Sequence, residues 1–562
     1  MRTLLQKSFA LIAFVFAVNT NTIAQQYPGY TLYGLKNATS AVLIDTNGTT
    51  YHTWTSTGKT SCYSTYMMPG GILWRTINHS GNSFSGGPVS GEVQKLDYNG
   101  NVLWDYVYST STYCTHHDIC PMPNGNVLMI AYESKSAAEV AAAGCSTFSG
   151  IMWPDKIVEV QPTGATTGTV VWEWHAWDHL VQNTNASAAN YQTSIVNHPE
   201  LLNINYNATK DWLHVNGVDY NPILDQVTFS SHNLSEVYVI DHSTTTAEAA
   251  THSGGNSGKG GDLLYRWGNP GAYGATGTKI FNVVHNAHWV PEGNSNAGDL
   301  SGYNNQGISS TASCADFFTP PVSGYNYSIT LGSAYTPATY NKRQASGGYN
   351  SNEGSVQQLP NGNILINMGI SGYIKEFDPS GTLIWSKTLT GSSAKAFRYS
   401  ECYTNNAAPA IPTITENAGV LSTDPAATYQ WYFNGQLIPG ETAQTITASQ
   451  SGIYLVRITD SNGCVYQYSQ GYHYTTATGI TEESKSTFQV YPNPSTGIVH
   501  INELENSGKQ FELNVYDALG RNVLYNKTMY EINLREFGSG LYTIQIKQGS
   551  QTSDTFKVII NE

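Results

Sequence analysis

Between residues 40 and 400 the apolar positions fall into short runs separated by turns rich in Gly, Asn and Pro, and two patterns alternate along the chain. One is a tight turn feeding a short apolar strand, P-x-G-x-x-L or close to it. It occurs at Met68-Pro69-Gly70-Gly71-Ile72-Leu73, Met122 to Leu128, Val290-Pro291-Glu292-Gly293 and Leu359 to Leu365, and in degenerate form at Tyr220-Asn221-Pro222 into Val227-Thr228-Phe229. The other is a hairpin ending in tryptophan: Leu96-Asp97-Tyr98-Asn99-Gly100 to Trp104, Phe377 to Trp385, and looser versions at Ile44-Asp45 to Trp54, Val160 to Trp172 and Ile240-Asp241 to Trp267. A sixth, around Tyr327 to Tyr340, has lost the tryptophan. Asp or Asn and Gly at these bends supply the positive φ that hairpin turns demand, and each Trp is predicted to pack between neighbouring sheets. Alternation at a period of about 50 to 75 residues marks radial repeats, each a sheet that cannot bury its face alone. Six hairpins predict an all-β chain whose residues 26–405 form a six-bladed β-propeller; strict alternation speaks against a double-layered sandwich array.

The composition changes after about Asn405. Ala407 to Pro412 is an Ala/Pro linker, and Tyr429 to Gly435 and Gly452 to Ile458 alternate as half-buried strands do, which predicts an immunoglobulin-like β-sandwich over 408–474. A polar linker follows at 475–487. The last segment, 488–562, is expected to be a small β-sandwich and opens with Val490-Tyr491-Pro492-Asn493-Pro494-Ser495-Thr496-Gly497. That opening resembles the C-terminal sorting domain of the type IX secretion system of the Bacteroidetes. The resemblance implies passage through that machinery and a protein that is secreted or attached to the cell surface. At the other end, Arg2 and Lys7 precede the apolar run Ser8 to Val18, and Thr22-Ile23-Ala24 fits a small-residue cleavage site, so residues 1–24 read as a signal peptide. No later stretch approaches the roughly 20 apolar residues of a spanning helix, so no membrane segment is expected in the mature chain.

Only 12% of residues are charged, and 26 basic against 40 acidic side chains give a formal charge of −14. Without a basic stripe to release counterions, a nucleic-acid partner is set aside. The seven cysteines lie at 62, 114, 120, 145, 314, 402 and 464. None has zinc-finger spacing; Cys114 with Cys120 or Cys145, and Cys62 with Cys402, are candidate bridges.

Candidate chemistry sits in histidines. When the repeats are aligned on their turn proline, His117, Asn216 and His285 each stand six residues before it, as do Tyr63 and Gly354; His214 is two residues before Asn216. Equivalent positions at the start of inner strands meet at one mouth of a central channel. His116, Asp118, His232 and His288 are neighbours in sequence, whereas His52, His79, His175, His179 and His242 are out of register and are expected at the surface or in loops. A neutral imidazole is a good nucleophile, and with a second histidine and an amide beside it the cluster suits phosphoryl- or sulfuryl-type transfer. Three or four imidazoles also bind Zn or Cu, with His117, His214, His232 and His285 as the alternative ligand set.

The ordered set His116-His117-Asp118 before a Pro-Asn-Gly-Asn turn, Trp212-x-His214-x-Asn216 before Val218-Asp219-Tyr220, Ser230-Ser231-His232, and His285-x-Ala287-x-Trp289 resembles the bacterial arylsulfate sulfotransferases. The likeness spans about residues 30 to 400. It implies a six-bladed propeller that moves a sulfuryl group from a phenolic sulfate donor to a phenolic acceptor, with no cofactor. Carried over, His285 matches the histidine that is transiently sulfated. His214 and Asn216 match residues that hold the sulfuryl oxygens, and the His116-His117 pair handles the proton on the phenolic oxygen, with His117 favoured by the repeat register. One position departs: the family has arginine after the serine pair, where this chain has His232. Arg266, Arg343 and Arg398 are the candidates to replace that charge. A non-catalytic glycan- or surface-binding propeller is the remaining alternative; quinone-cofactor propellers have eight blades where six are counted here.

Overall fold

The computed structural model describes residues 25–55, 58–476, 488–504, 510–527, 529–547 and 554–561. The expected signal peptide and most of the 475–487 linker lie outside them. The chain is all-β and divides into two compact units, Met1–Tyr474 and Thr475–Glu562.

The first unit contains six four-stranded antiparallel sheets. Numbered from the sheet that holds Tyr30–Gly34, the first to sixth sheets have as innermost strands Ala396–Tyr399, Ser61–Met68, Tyr113–Pro121, Val215–Asn221, Val284–Trp289 and Ser355–Gln358. Each touches the next in that order, and the sixth touches the first, so the six form a closed ring. The ring is fastened within one sheet, where Tyr30–Gly34 from the start of the chain pairs antiparallel with Ala396–Tyr399 from its end. In the other five sheets the innermost strand leads, through the turn that the Pro-Gly pattern marks, into the second strand.

Two physical devices hold the sheets together. The outermost-strand tryptophans donate into the next sheet: Trp54 Nε1 to Asp97 O, Trp104 Nε1 to Thr167 O, Trp172 Nε1 to Thr244 Oγ1 and Trp267 Nε1 to Pro337 O. These four rings are at most 4% exposed, and truncation of such a ring to Ala costs roughly 3–5 kcal/mol. At the centre, each innermost strand is a sheet edge with unpaired N–H groups. Side chains of the neighbouring inner strand satisfy them: Asp118 Oδ2 accepts from Val218 N, Asp219 Oδ2 from Trp289 N and Asn286 Oδ1 from Val356 N.

Residues 414–474 form a three-stranded and a five-stranded sheet around a core of Leu421, Trp431, Ile446, Tyr454, Val456 and Ile458. They pack on the proline turns of the ring. Tyr432 Oη (2.6 Å) and Arg457 Nη1 (2.7 Å) donate to Glu292, and Gln467 Nε2 donates to Pro123 O. A Cys402–Cys464 disulfide joins the two parts, correcting the proposed Cys62–Cys402 pair. Cys114 and Cys120 share the strand Tyr113–Pro121; at about 3.3 Å per residue they stand far beyond disulfide reach. Cys62, Cys114, Cys120, Cys145 and Cys314 are free thiols.

The second unit is built of a three-stranded and a four-stranded sheet over a core that includes Phe488, Val499, Leu513, Val515, Ile544 and Val558.

Candidate active site

The end of the ring away from the proline turns carries the histidines. Four inner strands interrupt their pairing there, with register shifts between Ser61 and Thr65, Thr115 and Ile119, Val215 and Gly217, and His285 and His288. A bulge re-aims side chains toward the axis and breaks the two-residue alternation. Several residues around it hold left-handed backbone: His117 (φ 45°), His214 (φ 53°), Asn286 (φ 57°) and Glu353 (φ 61°). Non-glycine residues in this region are uncommon and cluster where function demands them. Gly217 allows close approach, since a Cβ there would lie 2.7 Å from Asn286 Cα.

All five register positions, Tyr63, His117, Asn216, His285 and Gly354, line one small cavity together with Glu353, Ala394 and Lys395. Five imidazoles, of which His117 and His285 line the cavity, form a file. Ring centroids are 5.3 Å apart for His116 and His117, 4.7 Å for His117 and His214, 4.9 Å for His214 and His232, and 5.4 Å for His232 and His285.

At one end of the file, His285 Nδ1 lies 2.7 Å from Asn305 Oδ1, and Glu353 N donates to His285 Nε2 at 3.2 Å. Asn305 Nδ2 donates to Asn350 O and Glu353 O, which leaves its oxygen to accept from the ring. The tautomer follows: Nδ1 carries the hydrogen and Nε2 the lone pair. At the other end, His117 Nδ1 faces His116 Nδ1 at 3.0 Å, and His116 Nε2 lies 2.9 Å from Asp155 Oδ1. His116 is also stacked on Tyr132 at 3.7 Å. His214 Nδ1 lies 2.6 Å from Asp211 Oδ2. Asn216 donates to Val284 O and accepts from Ser230 Oγ, so one of its two N–H bonds is uncommitted in this geometry.

Burial, and then the neighbouring imidazoles, hold His117 and His285 well below the usual histidine range. Burial with His214 brings His232 down to about 4. These three rings are therefore neutral at pH 7, and His232 supplies no charge in place of arginine. Nor do the arginines named as substitutes. Arg266 is taken by Glu236, Arg343 by Asp316 and Arg398 by Glu376, Thr31 Oγ1 and Tyr27 O, and none lines the cavity.

The cation in the cavity wall is Lys395, 4% exposed, which donates to Asp118 and approaches Tyr66 Oη at 3.3 Å. Asp118 also accepts from Ser64 Oγ and Tyr66 Oη. Burial lowers Lys395 from its ordinary value against the pull of Asp118. The proline register missed Lys395 for a topological reason. It precedes Ala396–Tyr399, whose neighbour in the sheet comes from the chain's start, so no turn proline follows to align it. Glu353, which no repeat position marks, pairs with Lys36.

Among the described residues, His117, His214, His232 and His285 do not form a group whose ligand atoms lie within 4.8 Å of one another; the group that does is His179, His252 and Asp262. His179, expected at the surface or in a loop, lies in the loop after the turn Ala176–Asp178 and is fully buried there.

A family profile described as arylsulfotransferase (ASST) matches residues 18–402, and one described as a secretion system C-terminal sorting domain matches residues 489–561. The sorting domain marks the protein for type IX secretion, as a secreted or cell-surface protein. Among the described residues no helix is long and apolar enough to cross a membrane. No curated protein matches the chain. Solved structures similar to it include a protein of unknown function from Bacteroides caccae (12% identity, 66% of this chain and 98% of that one, TM-score 0.36). Others are a periplasmic gluconolactonase of Pseudomonas aeruginosa (12%, 66% and 99%, TM-score 0.34) and apo AztD from Citrobacter koseri (7%, 66% and 97%, TM-score 0.31). At these scores the likenesses carry no argument.

Proposed function

The chain belongs to the arylsulfotransferase family, and from that premise we propose that it transfers a sulfuryl group from a phenolic sulfate ester to a second phenol through a sulfated His285. We read the six sheets as the blades of a six-bladed propeller spanning 26–405, residues 408–474 as an immunoglobulin-like module, and 488–562 as a β-sandwich sorting domain. The observation that carries the reaction is His285: a buried, neutral imidazole whose tautomer directs a lone pair at Nε2, in a cavity shared with His117, Asn216 and Lys395.

In the first step His285 Nε2 attacks sulfur. The N–S bond forms as the S–O bond to the phenol breaks, and the positive charge gained by the ring is shared through Nδ1–H with Asn305 Oδ1. The lone pair is held in the resting site only by the long contact from Glu353 N, which attack replaces. Asp155, His116 and His117 make a single file of proton carriers, in which burial keeps Asp155 above the usual carboxylate range. One proton on this file gives His117 an N–H to donate to the departing phenolic oxygen. The acceptor phenol returns a proton to the file as its oxygen attacks sulfur and frees His285, so protons balance over the cycle. His214 and the free N–H of Asn216 hold sulfuryl oxygens. Lys395 supplies the positive potential that arginine gives elsewhere in the family, and His232 serves as a neutral hydrogen-bonding group.

The test is incubation of the purified protein with a chromogenic phenyl sulfate and a second phenol, with and without a chelator. Acceptor-dependent, chelator-resistant phenol release is expected. Its absence with well-folded protein, or release that persists in His285→Ala, overturns the proposal.

A further inference from the structure

A second cluster lies outside the ring's axis. His179 follows the short turn Ala176–Asp178 at the end of strand Gly168–His175, in the third sheet. His252 and Asp262 stand in the long connection between strands Glu236–Asp241 and Tyr265–Trp267 of the fourth sheet. The cluster therefore bridges two sheets.

The hydrogen-bond arithmetic is constraining. His179 Nε2 lies 2.8 Å from the carbonyl oxygen of Ala249, an atom that can only accept, so Nε2 carries a hydrogen. The lone pair of a neutral ring is then at Nδ1, which lies 2.9 Å from Asp262 Oδ1; His252 Nδ1 lies 2.7 Å from the same oxygen. Two imidazole nitrogens thus converge on one carboxylate oxygen, and a cation is what such a set takes. Hydrogen bonds to that one oxygen need a hydrogen on each Nδ1, whereas a divalent metal takes all three atoms through their lone pairs. The setting is built around His179: Trp174 lies parallel to its ring (2°, 5.7 Å) and donates Nε1–H to Gly261 O, and a Cβ on Gly261 would fall 2.6 Å from His179 Nε2. A ligating histidine whose other N–H is fixed on a backbone carbonyl is the usual outer arrangement of a metal site.

We propose that His179, His252 and Asp262 bind a divalent transition-metal cation, zinc foremost, which clips the 246–262 connection of the fourth sheet to the third. Two nitrogens and one carboxylate oxygen suit zinc, with water as fourth ligand. Tetrahedral ligands at about 2.0–2.2 Å stand roughly 3.3 Å apart, so the cluster must open by about half an ångström. His252, 64% exposed, is free to make that movement.

The test is titration of chelator-stripped full-length protein with zinc chloride, followed by thermal unfolding, and with cobalt(II), followed by visible absorption. A rise of several degrees in Tm that saturates at one equivalent, with cobalt bands of tetrahedral intensity, is expected. His252→Ala removes an exposed ring and leaves the core intact, so it should abolish both signals, while His214→Ala in the central cavity should keep them. No zinc-dependent shift, or one that survives His252→Ala and disappears in His214→Ala, overturns the proposal.

Discussion

Histidines at the centre of the ring and two histidines outside that centre, His175 and His242, are driven to opposite protonation states. In the centre, His117, His232 and His285 have other imidazoles as neighbours, and burial with mutual repulsion keeps them neutral. Outside the centre, at the end of the outermost strand Gly168–His175 and just after the strand Glu236–Asp241, burial also works against charge, but Glu133 with Glu173 at His175, and Asp225 with Glu159 at His242, outweigh it and push both rings up to about 9. The placement of carboxylates, more than burial, separates a neutral ring from a cationic staple.

The sharpest way to break this comparison is at the central lone pair. His285→Ala should cut sulfuryl transfer by three or more orders of magnitude while leaving the unfolding midpoint little changed, since its Asn305 partner stays anchored to Asn350 and Glu353. Next comes the charge that the centre does contain. Lys395→Met strands Asp118 in the ring and should cost roughly 3–5 kcal/mol in denaturant unfolding, with much of the loss recovered in the Lys395→Met/Asp118→Asn double variant.

The outer staple is worth somewhat less. His242 joins Glu159 of the third sheet at 3.0 Å to Asp225 of the fourth at 2.7 Å. Its raised pKa means a contribution fully present below about pH 6.5 and lost as pH rises through about 9. His242→Gln should therefore cost on the order of 2–3 kcal/mol at pH 6, with the deficit shrinking at pH 9.

The smallest effect is the acid limb. For a ring lowered to about 4, the unfolded chain binds more protons as pH falls below about 6.5, so stability drops across that window. His232→Gln should regain about 2 kcal/mol relative to the parent at pH 5 and nothing at pH 8. If the pH profiles of His232→Gln and His242→Gln were the same, the contrast between the centre and the histidines outside it would be wrong.

The alternating turn and tryptophan patterns were enough to mark six sheets, because a hairpin's φ requirements and an indole's need for burial are local or nearest-neighbour demands that each repeat writes out. The proline register likewise put Tyr63, His117, Asn216, His285 and Gly354 in equivalent places, since an inner strand of fixed rise always delivers the same position to the axis. What the repeat does not write was settled in three dimensions. Lys395 lies just before the strand that closes the ring with the chain's first strand, where no turn marks the register. Cys402 meets Cys464 across 62 residues of sequence. His179, His252 and Asp262 converge from two sheets. Period and turn chemistry propagate along the chain, but charge pairing, disulfide partners and proton states depend on which surfaces meet, and only the closed ring decides that.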